Sequence, residues 1–366
     1  MKRVEIVQIG LGNVGRAVAR MILEERENWR ERFGIDVRYR AVADRSGALC
    51  GERCLEQAIE VKERGGKLEE IGTEPIKDLL AEPPEYGTCR VVMDLAVNGV
   101  PYPLDLQAIM SGAGLVLSNK GPISRSYEEY RALEGAGEML RYEATVGAGL
   151  PVISTLENLM ESGDDVEEIT ATPSGTLGFI LSAVERGKPF SEAVREAVER
   201  HYAEPDPRDD LSGLDVQRKA LILGRTLGRE LEPDAVSYES LVPGHLDDVS
   251  REEFLERLPE ADEEFAERVR EAAERGKVLR YLARIPVKGE VEVGLREVES
   301  ESPFARLSGT ENAFVFKTRR YAEMPITICG PGAGPEVTAS GVVYDLLEIA
   351  NASEDAERTE EVLKRA

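Results

Sequence analysis

Residues 4–15 read Val-Glu-Ile-Val-Gln-Ile-Gly-Leu-Gly-Asn-Val-Gly. The β-branched first half predicts a strand, and the pattern of residues 16–27 predicts a helix. The Gly10-x-Gly12-x-x-Gly15 spacing between them is typical of a loop that binds the pyrophosphate of a dinucleotide, because glycines permit a tight turn and close approach of the backbone. A plain glycine-rich turn is the alternative, and the strand-turn-helix setting favours the dinucleotide loop.

The residues after this loop indicate which dinucleotide it holds. Asn13 and Val14 open the predicted helix, whose N-terminal N–H groups favour a phosphate. Residues 37–43 predict a second strand that ends in Asp44, an acid placed to accept hydrogen bonds from the adenosine ribose, which favours NAD. Arg45 follows at once and could instead bind a 2′-phosphate, so both NAD and NADP stay open as cofactors.

Strands and helices alternate along the first part of the chain. Further strands are predicted at residues 91–97 and 115–117, and this alternation predicts right-handed crossovers and a parallel sheet. From about residue 151 the helical patterns are longer, and strands are predicted at 278–285, 291–298, 313–318 and 324–329. A glycine-rich turn at 330–334, followed by an apolar helix at 337–350, predicts that the chain returns to its first domain.

The predicted fold class is therefore α/β, with a Rossmann-type parallel-sheet domain and a second α+β domain. Residues 1–148 plus 331–366 form the dinucleotide-binding domain, and residues 149–330 form the catalytic and dimerisation domain. We expect the active site in the cleft between them, at the carboxyl ends of the strands.

The composition argues against several classes of protein. Of 366 residues, 70 are Asp or Glu and 46 are Lys or Arg, giving a formal net charge of -24. Nucleic acid and anionic membranes are not expected as partners, because both require basic patches. No stretch reaches the ~20 apolar residues of a membrane span, so we expect a cytoplasmic protein. Four cysteines and two histidines argue against a disulfide framework and a histidine-rich metal site.

Residues 204–223 carry the strongest sign of catalysis. They read Glu-Pro-Asp-Pro-Arg-Asp-Asp-Leu-Ser-Gly-Leu-Asp-Val-Gln-Arg-Lys-Ala-Leu-Ile-Leu. Asp215 and Lys219 are four residues apart on a predicted helix, close enough to interact. A solvated surface ion pair is the ordinary explanation of such spacing, but the other positions of this helix are apolar, which predicts that it is packed.

At this point the sequence resembles the homoserine dehydrogenases over nearly its whole length. Besides residues 204–223, the resemblance is carried by Ser-Asn-Lys-Gly-Pro at 118–122, Tyr-Glu-Ala-Thr-Val-Gly-Ala-Gly-Leu-Pro at 142–151, Ser-Gly-Thr-Leu-Gly-Phe-Ile-Leu at 174–181, Gly-Thr-Glu-Asn-Ala at 309–313 and Gly-Pro-Gly-Ala-Gly-Pro-Glu-Val-Thr-Ala at 330–339. It implies interconversion of L-homoserine and L-aspartate 4-semialdehyde in threonine and methionine biosynthesis, with hydride exchanged at a nicotinamide. It also implies a homodimer through the second domain's sheet, in a monofunctional form without aspartate kinase or ACT domain.

The resemblance implies roles for the polar residues of these blocks. Lys219 would transfer the hydroxyl proton, and Asp215 would orient Lys219 or the substrate. Lys120 is the other candidate for proton transfer and would lie beside the nicotinamide. Glu204 would bind the substrate ammonium, and the substrate carboxylate would be bound by Ser174, Gly175 and Thr176.

The resemblance also implies further cofactor contacts and a cation. Ala96, Asn98, Lys120 and Gly334 would touch the dinucleotide. A monovalent cation, Na⁺ or K⁺, would be held by Glu143, Val146, Ala148 and Leu150, since one carboxylate with backbone carbonyls suits such an ion. A strand-to-helix turn with no cation is the alternative. The chain departs from the family at Ala96, where a hydroxyl is usual, and at Ser174 and Phe179, where Asn and Tyr are usual.

Two other functions remain open. Aspartate-semialdehyde dehydrogenase chemistry requires a nucleophilic cysteine with a histidine partner, a context that none of the four cysteines has. The second alternative is a regulatory protein that binds the cofactor but has no catalytic activity. The joint presence of Lys120, Lys219, Glu204 and Asp215 argues against this alternative.

Overall fold

Two six-stranded sheets, each in its own unit of the chain, organise this computed structural model. The structure describes residues 1–51, 54–73, 76–97 and 102–365. One unit comprises Met1–Gly149 with Gly334–Ala366, and the other comprises Leu150–Ala333. The predicted fold class, a parallel-sheet α/β domain with a second α+β domain, is confirmed. The functions assigned to the two domains stay predictions.

The elements before residue 150 are, in chain order, β1 (Lys2–Ile9), α1 (Asn13–Phe33), β2 (Ile35–Asp44), β3 (Gly47–Cys50), α2 (Cys54–Glu63), α3 (Ile76–Ala81), β4 (Thr88–Asp94), α4 (Tyr102–Met110), β5 (Gly114–Leu117), α5 (Tyr127–Glu134) and β6 (Leu140–Arg141). Those that follow are α6 (Val152–Glu161), β7 (Val166–Thr172), α7 (Gly175–Glu185), α8 (Phe190–Glu199), α9 (Arg208–Leu211), α10 (Leu214–Thr226), β8 (Val236–Tyr238), α11 (Arg251–Arg257), α12 (Asp262–Glu274), β9 (Lys277–Pro286), β10 (Val291–Glu299), β11 (Glu311–Thr318), β12 (Ile326–Pro331) and α13 (Pro335–Arg365). None of these described helices combines the length and apolar character needed to cross a bilayer.

The first sheet has the strand order β3-β2-β1-β4-β5-β6. β1 pairs in parallel with β2 on one side and β4 on the other, so the loop after β1 lies where the strand order reverses, a common place for a ligand in α/β folds. The unpredicted edge strand β3 is antiparallel to β2. Only two residues join β2 to β3, and a connection that short can return only as a hairpin.

The late helix returns to the first unit. It packs against α1, β4 and β5. Its buried apolar residues recur at three- and four-residue spacing and join the core cluster that contains Ile6 and Val18; they are Ala339, Val342, Val343, Leu346, Ile349 and Ala350. This face explains why a helix that follows the whole second unit, Leu150–Ala333, belongs to the core of the first unit.

The second sheet has the order β12-β11-β7-β9-β10-β8. β7 is antiparallel to both neighbours and was not predicted, because its Glu167 and Glu168 interrupt the apolar pattern. Helices α7, α10 and α12 pack against β9. A row of five side chains in register crosses one face of the sheet, and none is fully buried: Thr327, Val315, Thr170, Arg284 and Glu292.

Candidate active site

The glycine loop after β1 has the geometry of a close-approach turn. Gly10 has φ +104°, and a Cβ there would lie 2.6 Å from the carbonyl carbon of Leu95. A Cβ on Gly15 would lie 2.1 Å from the carbonyl oxygen of Gly10. At Gly12, by contrast, a Cβ would meet no atom within 4 Å, so the protein's own packing does not require glycine there. Gly12 is also the N-cap of α1, so the N-terminus of this helix is left uncovered by any side chain at that position.

The acid at the end of β2 is engaged by a lysine. Asp44 accepts hydrogen bonds from the N–H of Ser46 at 2.7 Å and from its hydroxyl at 2.6 Å, and its Oδ2 lies 2.8 Å from Nζ of Lys62 in α2. Burial disfavours ionisation, but the bonds from Lys62 and Ser46 outweigh it and hold the pKa of Asp44 below its usual value. Arg45, the next residue, is exposed.

The turn that carries Lys120 is held on both sides. Asn119 donates from its amide nitrogen to Asp94 Oδ2 at 2.5 Å and accepts from the N–H of Gly121 at 3.0 Å. Asp94 is fully buried at the end of β4 and also accepts from the N–H of Ala96 at 3.1 Å. The ends of β4 and β5 therefore fix the backbone around Lys120. Asn98 lies outside the described residues.

Three of the four predicted cation ligands lie on one segment of the first unit. Glu143, Val146 and Ala148 are all buried, and Ala148 has φ 56°, in the left-handed region that disfavours a side chain. Helix α13 holds this segment, because Asp345 accepts from the N–H of Glu143 at 2.8 Å. A Cβ on Gly341 of α13 would lie 2.6 Å from the carbonyl oxygen of Ala148.

The fourth predicted ligand, Leu150, is the first residue of the second unit. Gly334, the late cofactor contact predicted from the family, begins the returning segment of the first unit with φ +127°. In the described part of the chain, no group of three or more His, Cys, Asp or Glu is arranged to hold a metal ion.

In the second unit, Lys219 and Asp215 form the predicted pair on α10. Lys219 is 9% exposed, and its Nζ donates to the carbonyl oxygen of Pro173 at 2.7 Å and lies 3.0 Å from Asp215 Oδ2. The structure therefore rejects the solvated surface pair for the lysine, while Asp215 remains half-exposed. Gly213 precedes the helix with φ +77°, and a Cβ there would lie 1.9 Å from the hydroxyl of Tyr281, so only glycine fits.

The bond from Lys219 to Pro173 brings α10 to the start of α7, where the predicted carboxylate-binding residues lie. Ser174 caps α7 by accepting from the N–H of Leu177 at 3.2 Å, and Thr176 donates to the carbonyl oxygen of Tyr202 at 2.5 Å. Gly175 packs closely on Thr310, since a Cβ there would lie 2.7 Å from that residue's carbonyl oxygen. The residue before Tyr202, His201, has φ 58°, so this segment too is strained.

Asp210 is a residue of this site that the sequence analysis did not assign. It accepts from the N–H of Glu204 at 2.8 Å, and its carboxyl lies close to the hydroxyl of Thr176. Burial, together with the charges of Glu204 and Asp215, raises the pKa of Asp210 above its usual value. The residue stands in the quoted run of residues 204–223, on the short helix α9, but one acid among several has no local signal that it is partly buried. Lys62 was missed as well, because a lysine on a solvated helix is unremarkable in sequence.

Comparison with known proteins shows which family this chain is similar to. The family model for homoserine dehydrogenase matches residues 151–347. The homoserine dehydrogenase of Saccharomyces cerevisiae is 37% identical over 288 residues, which cover 76% of this chain and 80% of the yeast protein. A maize protein, the chloroplastic bifunctional aspartokinase/homoserine dehydrogenase 1, is 36% identical over 352 residues, which cover 94% of this chain and 38% of the maize protein.

This chain spans less than half the length of the bifunctional relatives it matches. Among solved structures, a hyperthermophilic archaeal homoserine dehydrogenase in complex with NADPH superposes with a TM-score of 0.73 at 28% identity, covering 96% of this chain and 98% of that one. Both the sequence and the fold thus match along most of the chain. The chain belongs to the homoserine dehydrogenase family.

Proposed function

We propose that this chain is a homoserine dehydrogenase that interconverts L-homoserine and L-aspartate 4-semialdehyde with NAD or NADP. The observation that carries the proposal is the buried amine of Lys219, held by Asp215 and the Pro173 carbonyl beside the start of α7. When bound, the nicotinamide supplies the hydride acceptor or donor. The protein must then move the hydroxyl proton, and a held, mostly buried amine suits that task. Neither an inactive regulator nor a thioester-forming enzyme explains this arrangement.

The proton transfer is assigned to a lysine. Lys219 accepts the hydroxyl proton in the oxidative direction and returns it in reduction, while Asp215 keeps its Nζ in place. Lys120 is the second candidate, since its turn is anchored through Asn119 to the buried Asp94. Substitution of each lysine separately distinguishes the two.

The substrate groups find complementary partners in the second unit. Glu204 and Asp210 supply negative charge for the ammonium group. The start of α7, with Ser174, Gly175 and Thr176, supplies N–H and hydroxyl donors for the carboxylate.

The dinucleotide is assigned to the first unit. Gly10, Gly12 and Gly15 admit the pyrophosphate to the N-terminus of α1, as the open space at Gly12 suggests. Asp44 would hold the adenosine ribose, and Lys62 counters the charge of this acid. An acid alone favours NAD, whereas a lysine beside it provides a cation for a 2′-phosphate. We therefore propose that the Asp44–Lys62 pair allows NADP as well as NAD. NADPH is the cofactor named for the archaeal relative.

A monovalent cation, Na⁺ or K⁺, is assigned to the segment of Glu143, Val146 and Ala148, with Leu150 as the fourth ligand. The left-handed Ala148 supports this, because backbone strain at residues other than glycine concentrates at active sites and ligand-binding segments.

Homodimerisation is assigned to the open face of the second sheet, along the row from Thr327 to Glu292. The cytoplasmic location stays a prediction.

The test measures initial rates of nicotinamide reduction with L-homoserine and either NAD or NADP. Each cofactor is combined with a KCl and a NaCl series, at ionic strength held constant with tetramethylammonium chloride. We expect homoserine-dependent reduction with at least one cofactor and activation by one of the alkali cations. Absence of homoserine-dependent reduction in every combination would overturn the assignment, whereas activity without any cation effect would remove only the cation site.

A further inference from the structure

The side-chain amide of Gln8 closes the glycine loop across its base. Gln8 is fully buried in β1, two residues before the loop begins. Its Nε2 donates to the carbonyl oxygen of Gly10 at 3.0 Å and to that of Gly15 at 2.8 Å. Both amide hydrogens are thereby used, and a single side chain sets the distance between the two ends of the loop.

Tyr39 on β2 fixes the orientation of this amide. Its hydroxyl donates to Oε1 of Gln8 at 2.8 Å. Burial raises the pKa of Tyr39 well above its usual value, so the hydroxyl keeps its proton and remains a donor. A reversed amide would place Oε1 of Gln8 against two carbonyl oxygens, which repel it. These hydrogen bonds therefore allow only one orientation of the Gln8 amide.

The direction of these bonds matters for a ligand. The C=O of Gly10 points toward Gln8, and in a trans peptide the N–H of the next residue points the opposite way. The N–H of Leu11 is thus turned away from Gln8. A buried amide costs free energy unless its hydrogen bonds are made, and the neighbouring buried positions of β1, Ile6 and Val7, are apolar. The hydrogen bonds that offset the cost of burying the Gln8 amide are made to the carbonyl groups of the glycine loop.

We propose that Gln8 is a positioning residue for dinucleotide binding, and that Tyr39 orients it. The Gln8–Tyr39 pair holds the glycine loop in its binding conformation before the cofactor arrives, so binding does not have to order the loop. The proposal rests on the dinucleotide site of the proposed function. It predicts an effect on cofactor affinity and little effect on turnover once cofactor is saturating.

The test compares wild type with Gln8→Met, Tyr39→Phe and the double variant, using full-length protein. Methionine keeps the length of the side chain and removes every hydrogen bond. Tyr130→Phe is the matched control, because it removes a hydroxyl from another buried tyrosine of the same unit. The readouts are the Kd of NADH and NADPH by calorimetry, KM and kcat, and hydrogen exchange of residues 10–16 without cofactor.

We expect Gln8→Met to raise the Kd of the cofactor about tenfold, which corresponds to the net free energy of roughly one hydrogen bond. The kcat should stay within twofold of wild type. Tyr39→Phe should weaken it two- to threefold, and the double variant should weaken it by less than the product of the single effects. Exchange at residues 10–16 should speed up in Gln8→Met and stay unchanged in Tyr130→Phe.

A merely structural role gives a different result. Gln8→Met would then leave part of the protein misfolded and unable to return to the folded form, which reduces the stoichiometry in calorimetry and leaves the Kd of the folded fraction unchanged. Unchanged Kd in Gln8→Met overturns the proposal. If Gln8→Met fails to fold, unchanged Kd and exchange in Tyr39→Phe overturn it instead. Wild type that binds neither NADH nor NADPH would refute the proposed function itself, which is a distinct outcome.

Discussion

The Nζ of Lys219 lies 3.0 Å from Oδ2 of Asp215, one helical turn earlier on α10. The lysine is 9% exposed and the aspartate half-exposed, so the pair presents a fixed amine from a mostly buried position. Removing a group that transfers a proton in the transition state costs about 10²–10⁴-fold in rate. We expect Lys219→Ala to lower kcat with L-homoserine by at least about 100-fold, with cofactor affinity unchanged.

Arg218 provides the matched control, because it is the exposed neighbour on the same helix. Arg218→Ala should retain kcat within twofold. Lys219→Arg should not restore activity, since guanidinium stays protonated and cannot accept a proton. Wild-type turnover in Lys219→Ala would transfer the role to Lys120.

Asp210 is expected to control the affinity for L-homoserine. It accepts from the N–H of Glu204 and so holds the segment that carries the proposed ammonium ligand. Asp210→Ala should raise the KM for homoserine about tenfold or more, the loss of at least one hydrogen bond to a charged group. Asp209→Ala, a change at the exposed neighbour, should leave that KM unchanged. Equal KM values in the two variants would contradict the assignment.

Asp105 is expected to make stability depend on pH. It is 1% exposed on α4, and neither carboxylate oxygen has a hydrogen-bond partner among the described residues. Burial, and then the charge of Asp94, raise the pKa of Asp105 from 3.8 to about 9. Between these values the folded state keeps a proton that the unfolded state releases. The contribution of protonated Asp105 to the free energy of unfolding is therefore complete below pH 4. It is lost as pH rises toward 9, by at most about 1.4 kcal/mol per pH unit.

Asparagine cannot ionise, so Asp105→Asn escapes this loss. Thermal unfolding should show the variant gaining Tm over wild type more strongly at pH 8.5 than at pH 5. Asp78→Asn, at an exposed position of α3, should show no such difference. A constant offset between wild type and Asp105→Asn across this pH range would mean that Asp105 is ionised in the folded protein.

Lys62 is expected to set the cofactor preference. Its Nζ lies 2.8 Å from Asp44 Oδ2 at the end of β2. Lys62→Ala should shift the ratio of kcat/KM for NADP to that for NAD at least about tenfold toward NAD, because a charge-assisted bond to the 2′-phosphate is lost. The exposed Lys67 is the control, and Lys67→Ala should leave the ratio unchanged. An unaltered ratio in Lys62→Ala would leave Arg45 as the candidate for that contact.

The open face of the second sheet is expected to form the dimer. Val315 lies in register between Thr170 and Thr327 and is only half-buried in one chain. Val315→Asp places a charge where an interface would exclude water, and sedimentation velocity should show dissociation to monomers with unchanged circular dichroism. Met160→Asp, on α6 beside α10, should leave the assembly intact. A dimer that survives Val315→Asp would place the interface elsewhere.

Local patterns were sufficient for part of this description. A glycine turn between a strand and a helix is specified by adjacent residues, which is why Gly10, Gly12 and Gly15 predicted the first unit. The glycine-rich turn at 330–334 before an apolar helix was the local signal for a return to the first domain, and the buried stripe of α13 is what joins it to the core of the first unit. Strand β7 escaped prediction, because Glu167 and Glu168 interrupt its pattern and its central place depends on partners more than 100 residues away.

The amino-acid sequence thus determined the fold class, the family and the identity of the candidate lysines, because motifs of close-spaced residues record those properties. Which acid holds the backbone of Glu204, which cation stands beside Asp44 and which amide holds the glycine loop depended on contacts in the folded chain. Asp210, Lys62 and Gln8 look ordinary in the linear chain. Burial and hydrogen bonding are properties of the folded neighbourhood, and only packing of separate elements creates them.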